Sequence, residues 1–173
     1  MPSNQEFTIW TDNKCSGQNG DCGYYNPSVP AYHGWAGTSK AFLFEFSMPS
    51  DGCQEGLAPD APAVWILNAQ IPRTDQYGCS CWQSGCGEFD LFEVLSKGET
   101  RMKSTLHDQK QSLGSSDYFE RPMEGSIKAA VLMHEDAATL ALLPNSFQIG
   151  DTLTAEQIKQ ILAMPATQAA LPN

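Results

Sequence analysis

The sequence predicts an all-β protein, an antiparallel two-sheet β-sandwich with one short helix near its carboxyl end. Three observations lead to this prediction. Short apolar runs follow one another along the chain, loops rich in glycine, proline, asparagine and aspartate separate them, and no helical segments alternate with the runs. A length of 173 residues fits one domain, residues 1–173, with its own core.

The strands are justified in chain order by their side-chain patterns. Residues 42–48 alternate aromatic and other side chains until Pro49 ends the run, which predicts a strand with one buried aromatic face. The next expected strands are 63–68, 87–93, 103–107, 126–133 and 139–143, the last two joined by a hairpin loop at 134–138. Long loops at 11–40 and 50–62 are of the kind that often carries ligand contacts.

One helix is expected after Thr154. Thr154 and Gln157 fit a capping box, in which each side chain satisfies a backbone N–H of the other residue. Pro165 should end the helix, and residues 166–173 show no pattern that predicts an element. Leu153 and Ile158 fit a hydrophobic staple at the start of the helix. Ile158, Ile161 and Leu162 form an apolar stripe that should dock the helix on the outside of the sandwich.

Composition excludes several classes of partner. A formal net charge of -10 argues against nucleic acid, because affinity for phosphates comes from basic residues. Every apolar run is far shorter than the roughly 18 residues that a membrane span needs. A neutral polysaccharide is indifferent to the negative charge, and four tryptophans are present to contact sugar rings. We expect a monomer that binds neither nucleic acid nor membranes.

The cysteines indicate an oxidising, extracellular location. Their number is six, an even count, which is typical of secreted proteins. Local disulfides are expected, Cys15 with Cys22 and Cys79 or Cys81 with Cys86, which leaves Cys53 for the remaining partner. A zinc site is the alternative, but the thiols at 79–86 lack a Cys-x2-Cys knuckle and a second ligand cluster.

The segment 87–93 places three carboxylates, Glu88, Asp90 and Glu93, in a strand that is otherwise apolar. An unpaired buried carboxylate costs several kcal/mol, so such residues are either heavily paired or retained for chemistry. Glu88 and Asp90 share one face of a strand, whereas Glu93 falls on the other face. A β-bulge near Leu91 or Phe92 would bring all three carboxylates to one face.

Converging carboxylates predict acid–base chemistry. Like charges so close cannot all ionise at neutral pH, so at least one pKa must rise, which supplies an acid beside a base. Glycoside hydrolysis uses such pairs, with retention at a carboxyl separation of about 5 Å and inversion at about 6.5–9.5 Å. The alternative is an acidic structural network that binds calcium.

The residues around this segment resemble a known enzyme family. Glu88-x-Asp90-x-x-Glu93, preceded by the tryptophan-bearing strand 63–68 and followed by 105–107 (Thr-Leu-His), resembles the catalytic core of glycoside hydrolase family 16. A resemblance over nearly the whole chain is to the C-terminal domain of fungal cell-wall proteins described as glycosyl hydrolases. It is carried by residues 2–4, 21–25, 42–49, 71–74, 79–82 and 115–122.

These resemblances imply a jelly-roll (concanavalin-like) enzyme of the cell wall. They imply that Glu88 is the nucleophile, Asp90 the assisting carboxylate and Glu93 the general acid/base of a retaining, endo-acting β-1,3-glucanase without a cofactor. A structural calcium ion stays open. The acid/base role calls for a carboxyl that is protonated first and basic later, so a raised pKa is expected at that position.

Further residues are expected to contact the sugar. His107 matches a histidine that family 16 enzymes place near the catalytic aspartate, and of Trp65 and Asn68 only one faces the cleft if their strand is regular. The full set of candidates is Trp65, Asn68, Arg73, Tyr77, Trp82 and His107. Two other functions stay open: a non-catalytic glucan-binding module, and a transglycosylase in which a sugar hydroxyl replaces water.

Overall fold

The computed structural model describes residues 1–15, 21, 32–68, 87–107, 117–134 and 136–170. These residues form eight strands and one helix. In chain order the elements are β1 (Lys40–Phe46), β2 (Ala63–Leu67), β3 (Glu88–Glu93), β4 (Arg101–His107), β5 (Tyr118–Glu120), β6 (Ile127–His134), β7 (Ala137–Leu143), α1 (Ala155–Leu162) and β8 (Ala166–Ala170).

The strands form two antiparallel sheets of four strands, ordered β1-β6-β7-β8 and β2-β3-β4-β5. The ring of Phe92 on β3 lies 5.1 Å from the ring of Phe46 on β1 and 5.1 Å from that of Phe119 on β5. One buried cluster draws apolar side chains from both sheets, so the sheets pack face to face. The predicted antiparallel sandwich is confirmed.

Most predicted strands are confirmed, with three differences. The hairpin is tighter than the expected loop 134–138, because His134 pairs with Ala137 and the ladder continues to the turn. Strand β5 has only three residues, too few for a side-chain pattern. Strand β8 lies in the tail where no element was expected; it pairs along β7 through its backbone, and an edge strand needs no alternation of its own for that.

The helix begins as predicted. The Thr154 side-chain oxygen accepts from the Gln157 N–H at 3.2 Å, and Gln157 Oε1 accepts from the Thr154 N–H at 2.9 Å. Ile161 is fully buried against the outer face of the β1-β6-β7-β8 sheet. The expected apolar stripe docks only in part, since Ile158 is 38% and Leu162 54% exposed; a helix of eight residues rests on the sheet through one side chain.

A buried ion pair fastens the end of the sandwich opposite the hairpin β6-β7. Arg121, which follows β5, donates through Nη2 to Asp60 Oδ1 at 2.6 Å and through Nε to the Met48 carbonyl at 2.7 Å. Asp60 precedes β2, and Met48 follows β1. Arg121 therefore links loops of both sheets. Its hydrogen bond to the Asp60 carboxylate is the main cause that lowers the pKa of Asp60.

One expectation about the cysteines is wrong. Cys53 is a free thiol; its Sγ donates to the Glu55 carbonyl at 3.3 Å and lies 3.6 Å from the Asn4 amide nitrogen. These local contacts take the place of the expected disulfide. Cys15 is disulfide-bonded. The expected pairings that involve Cys22, Cys79, Cys81 and Cys86 fall on residues outside the described ranges.

Within the described ranges, no helix combines the length and the apolar character needed to cross a bilayer.

Candidate active site

The acidic strand β3 contains the predicted β-bulge. On its β4 side, Asp90 lies opposite Thr105 and Glu93 opposite Lys103, so three steps along β3 match two steps along β4. The ladder with β2 shows the same extra residue on β3, next to the pair formed by Asp90 and Trp65. Both ladders place the extra residue at 91–92, the position that the spacing of the carboxylates required.

The bulge brings the three carboxylates to one face of the sheet. Glu88, Asp90 and Glu93 pair with three β4 residues that are two positions apart from one another. In the same order, those partners are His107, Thr105 and Lys103. Residues two apart on a strand share a face, and so do directly opposite residues on paired strands. The opposite face of β3 supplies Leu91 and Phe92, neighbours in sequence that are both 0% exposed in the core.

The carboxyl groups of Glu88 and Asp90 are close neighbours, and a hydrogen bond between them contributes to the pKa shifts of both. Burial, followed by the negative charge of Asp90, raises the pKa of Glu88 to about 7. Burial, followed by the negative charge of Glu93, raises the pKa of Asp90 to about 7. A hydrogen bond between two carboxyls needs a proton, so this pair holds one near neutral pH. The expectation that at least one pKa must rise is confirmed.

From the resemblance, a raised pKa was expected at the acid/base residue, Glu93. The two raised pKa values belong instead to Glu88, the expected nucleophile, and to Asp90, its assistant. Burial is the first cause for both groups, and each lies on the well-packed part of β3 before the bulge. A buried pair that shares one proton provides both an acceptor and a donor at neutral pH.

His107 contacts this pair as expected. Its Nε2 lies 2.9 Å from Asp90 Oδ2. Donor atoms of Glu88, Asp90 and His107 all lie within 4.8 Å of one another, so the three form a compact cluster. Calcium takes about six to eight oxygen ligands. Two carboxyls supply at most four oxygens of such a set, so the calcium alternative stays a prediction.

Glu93 is held in the site without a salt bridge. Its carboxylate is half-buried, and neither an ion pair nor a hydrogen bond joins it to any residue in the described part of the chain. Its charge nevertheless contributes to the raised pKa values of both Asp90 and Glu88. Glu93 is therefore close to the carboxyl pair and available to a ligand.

The structure places two of the other predicted residues. Trp65 lies opposite Asp90 in the β2-β3 ladder and so shares the face of the carboxylates. Asn68 follows β2 and donates its backbone N–H to the Gly87 carbonyl at 2.9 Å, which extends the ladder by one bond. Arg73, Tyr77 and Trp82 lie outside the described residues.

The prediction from sequence omitted three residues of this face, Thr105, Lys103 and Tyr118. The first two follow from parity with His107 once a strand is assumed at 103–107. Tyr118 had no comparable signal, because β5 is too short to show alternation.

Known proteins are similar to this chain over most of its length. The family model for the C-terminal region of the cell wall protein YJL171C/Tos1 matches residues 1–161. A relative from Saccharomyces cerevisiae, named probable circularly permuted 1,3-beta-glucanase TOS1, is 47% identical over 175 residues, which cover 99% of this chain and 38% of the relative. No solved structure matches the chain.

Two further relatives carry the name probable circularly permuted 1,3-beta-glucanase. The one from Schizosaccharomyces pombe is 49% identical over 186 residues, covering 100% of this chain and 36% of the relative. The one from Arthroderma benhamiae is 44% identical over 174 residues, covering 94% and 39%. The chain thus spans less than half the length of these relatives.

Proposed function

This chain belongs to the C-terminal family of the cell wall protein YJL171C/Tos1, as the wider resemblance predicted, and on that basis we propose that it acts in the fungal cell wall as a retaining hydrolase of β-1,3-glucan. The observation that carries the proposal is the bulge of β3, which aligns Glu88, Asp90 and Glu93 on one face. The names of the relatives support the substrate class.

Glu88 is proposed as the nucleophile. In the free protein the hydrogen bond within the carboxyl pair favours the proton on Glu88, since it raises the pKa of Glu88 and acts in the opposite direction on Asp90. Positive charge that develops at the anomeric carbon favours an ionised Glu88. The shared proton then passes to Asp90, and the Glu88 carboxylate attacks the anomeric carbon to form the glycosyl-enzyme ester.

Glu93 is proposed as the general acid/base. It donates a proton to the glycosidic oxygen as the bond to the anomeric carbon breaks, and it later takes a proton from the water that hydrolyses the ester. The His107 contact with Asp90 at 2.9 Å holds the assisting carboxyl in place through both steps. The cycle starts with a proton on Glu93 and one proton shared by Glu88 and Asp90. Over the two steps together, Glu93 regains its proton from water, and the released Glu88 carboxylate takes the shared proton back from Asp90.

Substitution of Glu88 tests the proposal. The protein is incubated with a laminarin-type β-1,3-glucan, a mixed-linkage glucan and a β-1,6-glucan, and the released reducing ends, chain lengths and first-formed anomer are measured. We expect reducing ends of the retained anomer from β-1,3-glucan with the wild type. We expect none from Glu88→Gln, which still binds the glucan, and full activity from Glu6→Gln, an exposed carboxylate outside the site.

Two outcomes would separate the alternatives. Equal, low release by the wild type and Glu88→Gln, together with glucan binding by both, would overturn hydrolysis and leave a binding module. Products longer than the starting oligosaccharides would identify a transglycosylase, in which a sugar hydroxyl resolves the ester.

A further inference from the structure

A row of paired residues crosses neighbouring strands of the sheet that carries the site, among the residues that the structure describes. Glu93 on β3 lies opposite Lys103 on β4, and Lys103 lies opposite Tyr118 on β5. Directly opposite residues share a face, so Tyr118 lies on the face that carries the carboxylates. Neighbouring strands are about 4.8 Å apart, which puts Tyr118 about 10 Å from Glu93 across the sheet. A chain of sugars lying across the strands would reach both.

The ring of Tyr118 is exposed yet held in place. Tyr118 is 50% exposed, while its neighbour Phe119 points the other way and packs on Phe92. The guanidinium of Arg101 lies 5.0 Å from the centroid of the Tyr118 ring, and Arg101 Nη2 donates to Glu99 Oε1 at 2.7 Å. A positioned aromatic ring with a polar edge offers apolar area to a ligand at low entropic cost.

Lys103 lies between this ring and the acidic row. It is half-buried, and its ammonium forms no ion pair or hydrogen bond with any residue in the described ranges. An ammonium has three N–H donors and no acceptor, so the half-buried Lys103 on this face has donors left for a ligand. Hydroxyl oxygens of a sugar are suitable acceptors for these donors. On the other side of Glu93 its register partner is Ala63, whose small side chain offers no comparable contact.

From this row we propose that Tyr118 and Lys103 form a glucan-binding subsite beyond Glu93, toward the edge strand β5. A sugar ring stacks on the exposed face of Tyr118, and its hydroxyls accept hydrogen bonds from Lys103 Nζ. The subsite rests on the proposed function for the nature of its ligand, and it predicts that affinity depends on glucan length.

Titration calorimetry with β-1,3-gluco-oligosaccharides of increasing length tests the subsite, on the Glu88→Gln background so that no ligand is consumed. We expect Tyr118→Ala to weaken binding of the longer oligosaccharides by about fivefold to tenfold and to leave the shortest unchanged. Tyr118→Phe keeps most of the affinity, and Lys103→Met loses severalfold. Phe7→Ala, which removes a ring that is 69% exposed elsewhere, changes nothing.

The outcomes distinguish failure of the subsite from failure of the function. Unchanged affinity in both Tyr118→Ala and Lys103→Met, or an equal loss at every length, would overturn the subsite while wild-type hydrolysis still supports the function. Absence of both binding and hydrolysis in the wild type would overturn the two together. If Tyr118→Ala fails to fold by circular dichroism, Lys103→Met decides the question: a severalfold loss confined to the longer oligosaccharides supports the subsite, and unchanged affinity overturns it.

Discussion

Two aspartates, Asp60 and Asp90, are equally buried, each 6% exposed, yet their carboxyl groups are shifted in opposite directions. The pKa of Asp60 is lowered, first by its hydrogen bond to Arg121. The pKa of Asp90 is raised to about 7, first by burial and then by the charge of Glu93. The difference teaches that burial alone does not decide the charge of an acid; its partners do.

The same contrast separates the structural role of Asp60 from the chemical role proposed for Asp90. Asp60 accepts from Arg121 Nη2 and from Ser50 Oγ, so its negative charge is satisfied inside the fold. Asp90 faces two other carboxyls and His107 on the open face of a sheet. A satisfied buried charge supports stability, whereas crowded acids are tolerated where they are needed for chemistry.

The largest effect is expected at Glu93. Glu93→Gln removes the proposed acid/base, so the rate of glucan hydrolysis should fall by about 10²–10⁴-fold while the melting temperature stays nearly unchanged. Steady-state kinetics and a thermal melt measure both. An aryl glucoside with a good leaving group needs less protonation, so its glycosylation step should lose far less. An equal loss on both substrates would contradict the acid role.

Substitution of Arg121 should reduce stability, in contrast to Glu93→Gln, which should reduce activity and leave stability nearly unchanged. Arg121→Met leaves the Asp60 carboxylate buried without its cation, so the free energy of unfolding should fall by about 3–5 kcal/mol, measured by urea denaturation. Arg101→Met is the matched control, because the exposed pair of Arg101 with Glu99 should contribute less than about 1 kcal/mol. Equal losses of unfolding free energy in the two variants would contradict the structural role of the buried pair of Arg121 and Asp60.

A smaller effect is expected in the pH dependence of stability. Because the folded protein holds a proton on the pair containing Asp90 more tightly than the unfolded chain does, this pair lowers stability as pH rises from about 4 to about 7. Asp60 does the opposite, since its stabilisation is present above its unfolded pKa and is lost as pH falls through the lowered value.

Thermal melts from pH 3 to 8 compare the two aspartates directly. Relative to the wild type, Asp90→Asn should gain a few degrees in melting temperature as pH rises toward 8. Asp60→Asn should instead lose melting temperature relative to the wild type as pH rises toward the ordinary pKa of an aspartate. Parallel curves for the two variants would show that the acids are not opposed.

Much of the site was predictable because strand parity is a strict rule. The spacing of Glu88, Asp90 and Glu93 required one extra residue, and the structure has it at 91–92. The capping box of Thr154 and Gln157 likewise follows from local backbone geometry. In each case the sequence signal and the structural requirement lie within a few residues of each other.

The features that sequence did not predict depend on distant partners. Strand β8 exists because β7 offers an edge for pairing, and Tyr118 joins the site face through its register with Lys103. Cys53 contacts Asn4, which is 49 residues away, as well as Glu55 in its own loop, so the even cysteine count wrongly predicted a disulfide partner for Cys53. No periodicity encodes such long-range contacts.

Carbon-13 NMR titration of the side-chain carboxyl groups tests most directly whether β3 gathers its acids into a proton-sharing cluster. The account predicts that Glu88 and Asp90 titrate together near pH 7, as their pKa values of about 7 require, and that Asp60 titrates below the ordinary range of an aspartate. Titration of Asp90 at or below the ordinary aspartate value, independent of Glu88→Gln, would contradict it.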